Sequence, residues 1–302
     1  MEPRLIAAYA RCRELHRRHG RTYYLATRLL PADKRPHVHA LYGFTRYADE
    51  IVDRTDGAPA GERSRHLNEW SQRFLAGLAG EDVDDPILPA VLHTIATFDL
   101  ERSDFAAFLA SMAMDLSVNR YDDYDQLLRY MDGSAAVIGT MMLPILEPAD
   151  PAAARQPARE LGLAFQLTNF IRDVAEDLDR DRVYLPLRDM ERFGVTVADL
   201  RAAADRRAAD PAIRALLEHE ARRARAHYEA AAPGVPMLAP ASQACIRTAY
   251  HLYSGILDEV ARAGHDVFVR RAVVPNRRRV AVATRSLLTR AGTPVAVPAR
   301  VA

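Results

Sequence analysis

The sequence predicts an all-α fold, and three observations carry that prediction. Apolar residues recur at helical spacing through most of the 302 residues. Alternating apolar runs, the mark of a strand, occur only near Val267–Val274 and Val280–Val282. Breakers such as Asp56-Gly57-Ala58-Pro59 and Pro148-Ala149-Asp150-Pro151 separate the periodic segments, with no repeat or low-complexity linker between them. Helices are expected at roughly 3–19, 22–30, 34–55, 62–79, 86–98, 101–116, 123–146, 152–178, 209–231 and 240–264. The basic, Pro-punctuated tail at about 270–302 reads as a last helix or a partly loose end. The expected organisation is one domain over residues 1–302.

Hydrophobic residues make up 49% and charged residues 27%, an ordinary balance for a soluble globular chain. The net charge of +1 argues against a nucleic-acid binder held by bulk electrostatics. Cys12 and Cys245 are the only cysteines and lack metal-ligand spacing, which fits a reducing cytoplasm. The N-terminal stretch is charged throughout, unlike a secretory signal, and no run of 18 apolar residues predicts a transmembrane helix. Peripheral contact with a membrane surface stays open.

Taken in order, His19-Gly20-Arg21-Thr22-Tyr23-Tyr24 follows a basic run from Arg11. It fits a solvated helix end, or a corner where guanidinium, hydroxyl and backbone N–H groups converge on a phosphate. In the next helix His39, Tyr42, Arg46, Asp49 and Asp53 fall at steps of three, four, three and four, so they share one side. A surface ladder from Arg46 to Asp49 would explain that stripe by itself. Asp99, Asp104 and Asp115 show no such pairing and read as surface or cap residues, and the run Tyr121–Asp125 reads as the cap of the following helix. That helix carries Tyr130-Met131-Asp132-Gly133-Ser134-Ala135-Ala136-Val137-Ile138-Gly139. Its small residues either admit a neighbouring helix or leave room for a long, thin apolar ligand, with Met141, Met142, Leu143 and Ile145 continuing an apolar wall.

The stretch Leu161–Pro186 poses a sharper problem. Its first eighteen residues are apolar on almost every side, which places the helix in a core. Yet Gln166, Asn169, Asp173 and Asp177 form one narrow stripe along it. Burying unpaired carboxylates costs several kcal/mol or more, so a basic side chain or a metal must meet them. Two Asp pairs facing each other, without nearby His or Cys, suit a hard cation such as Mg²⁺ or Mn²⁺. Magnesium binds best where carboxylates share it with phosphate oxygens, which Arg46, Arg172 and Arg182 could also contact. No P-loop or GxGxxG is present. An apolar cavity with a metal-diphosphate mouth suggests an isoprenoid diphosphate ionised to an allylic cation.

From about Tyr9 to Arg279 the chain resembles the phytoene/squalene synthase family of head-to-head prenyl transferases, closest to its bacterial phytoene synthase branch. LGLAFQLTNFIRDVAEDLDRDRVYLP resembles the family's second aspartate-rich signature, TRYADEIVD its first, and YMDGSAAVIG its channel segment. RHGRTYYLATRLLP is similar to the N-terminal diphosphate-contacting segment, and LYSGILDEV places Tyr253 at a family tyrosine. Gly20 and Thr22 stand where many relatives carry serines, Met131 departs from the usual channel start, and Asp132 has no family role to inherit.

The resemblance implies an isoprenoid-synthase-type helical bundle around a central cavity. It implies condensation of two geranylgeranyl diphosphates to phytoene through a cyclopropylcarbinyl diphosphate. Asp49, Asp53, Asp173 and Asp177 would hold Mg²⁺, with Asn169 as a further ligand and Gln166 assisting at the diphosphate. Arg46, Arg172 and Arg182 would bind diphosphate together with Thr22 and Tyr23, while Gly139 and Gly162 would border the prenyl chains. Tyr42, Tyr130 and Tyr253 would steady cations or guide the leaving group. The alternatives are a squalene or dehydrosqualene synthase using farnesyl diphosphate, NADPH being needed only for squalene, and a non-catalytic scaffold of the same fold. The expected setting is cytoplasmic, with peripheral membrane contact for release of an apolar product.

Overall fold

The computed structural model describes residues 2–53 and 59–296, so Asp56–Ala58 of the first breaker lie outside the described residues. Helices α1 (Pro3–His19), α2 (Arg21–Thr27), α3 (Arg35–Val52), α4 (Ala60–Leu78), α5 (Leu88–Phe98) and α6 (Arg102–Met114) form the first half. Then come α7 (Tyr124–Met131), a π-turn at Asp132–Ala136, α8 (Val137–Leu146), α9 (Pro151–Arg172) and α10 (Val174–Asp179). The rest is α11 (Leu187–Arg192), α12 (Val197–Arg206), α13 (Pro211–Ala231), a 3₁₀ turn, α14 (Pro240–Arg262) and α15 (Asn276–Leu288). No strand occurs among the described residues.

Local chemistry explains most of the boundaries. Proline occupies the first turn of α1, α3, α5, α9, α13 and α14, where its missing N–H costs nothing. Asp123, Asp150, Thr196 and Asp210 each accept a hydrogen bond from the backbone three residues on. The cap expected at 121–125 is therefore in place, and Asp150 of the 148–151 breaker caps α9.

Several expectations need correcting. The helix foreseen at 152–178 breaks at Asp173, whose φ of −105° and ψ of 16° are not helical. The one foreseen at 123–146 is interrupted by the π-turn. Helices α11 and α12 lie between the helices expected at 152–178 and 209–231, and their six and ten residues are short windows for periodicity. Val280–Val282 lies inside α15, because three alternating residues are outweighed by the helical packing of that segment on α14. Asp104 is 5% exposed rather than on the surface; it accepts from the Thr140 hydroxyl and lies 3.6 Å from Arg155. Asp99 behaves as expected, ending α5 in the left-handed conformation on the surface.

Two apolar clusters build the core. The first half centres on Phe44, ringed by Trp70, Phe74 and Phe105 at centroid distances of 5.1, 4.9 and 5.2 Å. The second is built around the C-terminal part of α9 with α7, α13 and α14, while the buried residues of α8 join the first. Phe165 and Ile246 pack against both clusters, and between them lies a cavity. Gly139 and Gly162 let its walls approach. A Cβ on Gly139 would lie 2.1 Å from the Ala158 carbonyl oxygen, and one on Gly162 2.3 Å from that of Ala135. Asp132, whose role was open, pairs with Arg159 and helps hold the π-turn to α9. None of the described helices is long and apolar enough to cross a membrane.

Candidate active site

The α3 stripe carries Asp49 and Asp53 one turn apart at the helix C-terminus, the negative end of its dipole. Such a position needs cations, and arginines supply them. Arg46 reaches Asp49 at 2.7 Å and Glu50 at 3.1 Å, so the expected ladder is real. Arg182 donates to Asp53 at 2.6 Å. Across the cleft, the break at Asp173 leaves Arg172 free to grip the neighbouring carboxylate at 2.8 and 2.5 Å, while Arg271 adds bonds of 2.8 and 3.0 Å. Arg180 joins the two pairs, its Nη1 lying 4.0 Å from both Asp53 Oδ2 and Asp177 Oδ1.

Asp115, expected on the surface or at a cap, ends α6 but also belongs to this layer. It accepts from the Tyr130 hydroxyl at 2.7 Å and from that of Tyr184 at 3.2 Å. Spacing could not reveal it, because its partners come from other elements. Arg180, Arg271 and Tyr184 escaped for the same reason.

The carboxylates remain in excess of their cations. Burial, then the charge of Asp53, pushes the Asp49 carboxyl up to about 7, although water reaches 41% of its side chain and moderates the effect. Burial and Asp173 push Asp177 up to about 8. Burial also lifts Asp115 to about 6 against the pull of Arg182 and the phenol bonds. For Asp173 burial again works upward, but the hydrogen bonds from Arg172 and Arg271 outweigh it and hold the group below the usual carboxylate range. Beside this layer the Asn169 Oδ1 is buried without a donor. Hard oxygen donors with an orphaned amide oxygen are the donor chemistry that suits a divalent cation, which Asp49, Asp53, Asn169, Asp173 and Asp177 could hold. Among the described residues, the one set of three Asp, Glu, His or Cys side chains with ligand atoms within 4.8 Å of one another is elsewhere, Asp189, His219 and Glu220, and it already has Arg223 at 2.9 Å from Asp189 and 2.6 Å from Glu220.

Below the charged layer opens the cavity, about 280 Å³ and an order of magnitude above what one buried water needs. Ile138, Met142, Leu161, Phe165 and Ile246 are among its apolar lining, with Tyr42, Gln166 and Asn169 among its polar lining. Gly139 and Gly162 line it too, but the space of their missing Cβ atoms is taken by helix packing. Of the wall expected at 141–145, Met142 and Leu143 face the cavity, while Met141 and Ile145 are packed into the core. Tyr23 lines the cavity and stacks on Tyr253 at 4.4 Å, close to Arg172. Thr22 lies 3.5 Å from Arg279, away from the lining. His16, not singled out in the sequence, also faces the cavity; it stacks on Tyr42 at 4.1 Å and bonds His39 at 2.9 Å. Burial and that neighbour hold it neutral, with a pKa lowered to about 3.

Known proteins are similar to this chain in sequence and in fold. The family model described as squalene/phytoene synthase matches residues 16–278. A phytoene synthase of Arthrospira platensis is 35% identical, with 90% of each chain covered. A 15-cis-phytoene synthase of Synechocystis sp. is also 35% identical, over 90% of this chain and 82% of that protein. Among solved structures, a dehydrosqualene synthase in complex with ligand superposes with a TM-score of 0.85 at 28% identity, covering 93% of this chain and 96% of its own. The squalene synthase HpnC from Alicyclobacillus acidocaldarius gives 0.77 at 26%, covering 88% and 97%. By sequence and by fold, the chain belongs to the squalene/phytoene synthase family.

Proposed function

We propose that this prenyl-transferring enzyme condenses two geranylgeranyl diphosphates head to head, giving phytoene, as a single domain around the shared residues Phe165 and Ile246. The observation that carries the proposal is a cavity walled by apolar side chains beneath a layer of carboxylates and arginines, in a chain with 35% identity to phytoene synthases. A diphosphate head fits the charged layer and prenyl tails fit the walls.

Arg46, Arg172 and Arg182 would orient the diphosphate and hold negative charge as the C1–O bond breaks. Bound Mg²⁺, or Mn²⁺ in its place, would supply further stabilisation of that charge. Thr22 lies beside Arg279 at the N-terminal edge, where it would help hold the phosphate end. The faces of Tyr42, Tyr23 and Tyr253 offer π-density to a carbocation. Tyr130 stays a neutral phenol, since burial raises its pKa well above 10, and its proton is committed to Asp115. The apolar walls keep water from quenching the cation. Cys12 and Cys245 are buried and unbridged, consistent with a cytoplasmic setting, and the apolar product calls for peripheral contact with a membrane.

Incubation with geranylgeranyl diphosphate and Mg²⁺ should give phytoene without NADPH. Activity with farnesyl diphosphate alone would transfer the reading to dehydrosqualene synthesis, and squalene formed only with NADPH would transfer it to squalene synthesis. No product from either substrate would leave a scaffold.

A further inference from the structure

Helix α15 is built inside out for a soluble protein. Its inward face is small, with Ala283 and Ser286 buried. Its large apolar side chains point away from the fold: Val280, Leu287 and Leu288 are 63%, 58% and 81% exposed. With Thr284 they fall at i, i+4, i+7 and i+8, one continuous outer stripe. In the segment leading into the helix, Val269 and Val273 are 60% and 64% exposed. Five of the seven large exposed hydrophobics among the described residues therefore sit between residues 269 and 288. Scattered exposed apolar residues need no explanation, but a concentrated group marks an interaction surface.

The charge around this stripe is one-sided. Residues 267–296 contain seven arginines and no aspartate or glutamate. Arg271 and Arg278 are turned inward, onto Asp173 and Asp258 at 2.8 Å each. Arg270, Arg277, Arg285 and Arg290 are exposed and flank the apolar residues. An apolar stripe edged by solvated guanidinium groups is the pattern of a helix lying in a bilayer interface with anionic headgroups. A second copy of the chain fits poorly, because a two-fold contact would bring the same arginine rim against itself.

The segment leading into the helix, and its first turn, also touch the active-site region. Arg271, next to exposed Arg270, grips Asp173 in the carboxylate layer. Val274 lies 3.4 Å from the position of a Cβ on Gly255, two residues from Tyr253. Arg279, in the first turn of α15, reaches Thr22 on α2.

We infer that α15 and the segment 267–275 form the face by which the enzyme rests on an anionic lipid membrane, with the active-site mouth beside the headgroups. This deepens the proposed function and rests on it for its purpose: a substrate with long prenyl tails and a product without polar atoms both partition into lipid. The face would let each pass without crossing water.

The test uses the full chain with vesicles of phosphatidylcholine alone or mixed with phosphatidylglycerol. Co-sedimentation should occur with the mixed vesicles and weaken as salt rises. The double variant V280E/L288E should lose about tenfold in bound fraction, while its turnover in detergent stays within about twofold because neither residue touches the site. Independently, Leu288→Trp should shift its emission to the blue only with the mixed vesicles. Equal binding by wild type and V280E/L288E, or no emission shift, overturns the inference. So does a doubled mass in light scattering that V280E/L288E abolishes, since that makes the face a self-contact. Vesicle binding retained in a protein with no turnover in detergent supports the face and counts against the reaction instead.

Discussion

Arg271 holds Asp173 through two parallel hydrogen bonds of 2.8 and 3.0 Å, joining residues 98 positions apart in sequence. The bond ties the C-terminal basic segment to the carboxylate layer and, with Arg172, keeps Asp173 ionised. Arg271→Ala removes one of these two grips. The Mg²⁺ concentration for half-maximal turnover should rise about tenfold, the usual cost of losing a residue that orients a ligand. Lysine should restore little, because a point charge cannot reproduce the fork. A Mg²⁺ titration of initial rates decides it, and an unchanged midpoint would make the pair merely structural.

Asp49→Asn and Asp173→Asn should each lower turnover by about a hundredfold or more, since each exchanges a hard anionic ligand for a neutral amide of equal size. Steady-state rates at saturating substrate test this, and near-normal rates in both variants would refute the metal assignment.

The raised pKa values of Asp49 and Asp177, about 7 and about 8, make a pH prediction with a definite sign. Between about pH 4 and 8 the folded, metal-free chain binds more protons at these groups than the unfolded chain does. Their contribution to stability is present at low pH and is lost as pH rises through 7 and 8. Mg²⁺ competes with the same protons, so its affinity should increase over that range and the melting temperature should rise more on adding Mg²⁺ at about pH 8.5 than at about pH 6. Equal upshifts would mean that both carboxyls are ionised throughout.

Gly162→Ala should destabilise by about 1–3 kcal/mol, because its Cβ would meet the Ala135 carbonyl oxygen at 2.3 Å and the backbone must shift. Gly61→Ala is the control: nothing lies within 4 Å of its Cβ, and α4 should be unchanged or slightly more stable. Denaturant midpoints separate the two. A neutral Gly162→Ala would return the glycine from helix packing to providing room for substrate.

What was legible in the sequence follows from what spacing can encode. Asp49 with Asp53, and Asp173 with Asp177, share a side because four residues make nearly one helical turn, so both pairs could be read directly. Asp115 could not, since it joins the layer through hydroxyls on Tyr130 and Tyr184 from separate elements. The break inside the 152–178 helix carries no glycine or proline at Asp173. It coincides with a carboxylate held by Arg172 and Arg271, and the second of these contacts is tertiary. Arg180 looked like one more charge in a hydrophilic run, yet its position between Asp53 and Asp177 exists only once two distant helices meet.

The π-turn at Asp132–Ala136 acts as a phase shifter. Winding i→i+5 over those five residues accommodates one residue more than an α-turn, and each residue of an α-helix advances the face by about 100°. Everything downstream on α8 is rotated accordingly, which is how Ile138, Gly139 and Met142 come to face the cavity while Met141 and Ile145 turn into the core. The bore of the prenyl channel is thus set by the winding of five small or acidic residues upstream, as well as by the side chains along its wall. Removing one residue from the turn would rotate the α8 wall at once and re-gauge the cavity without a single change to the side chains on α8.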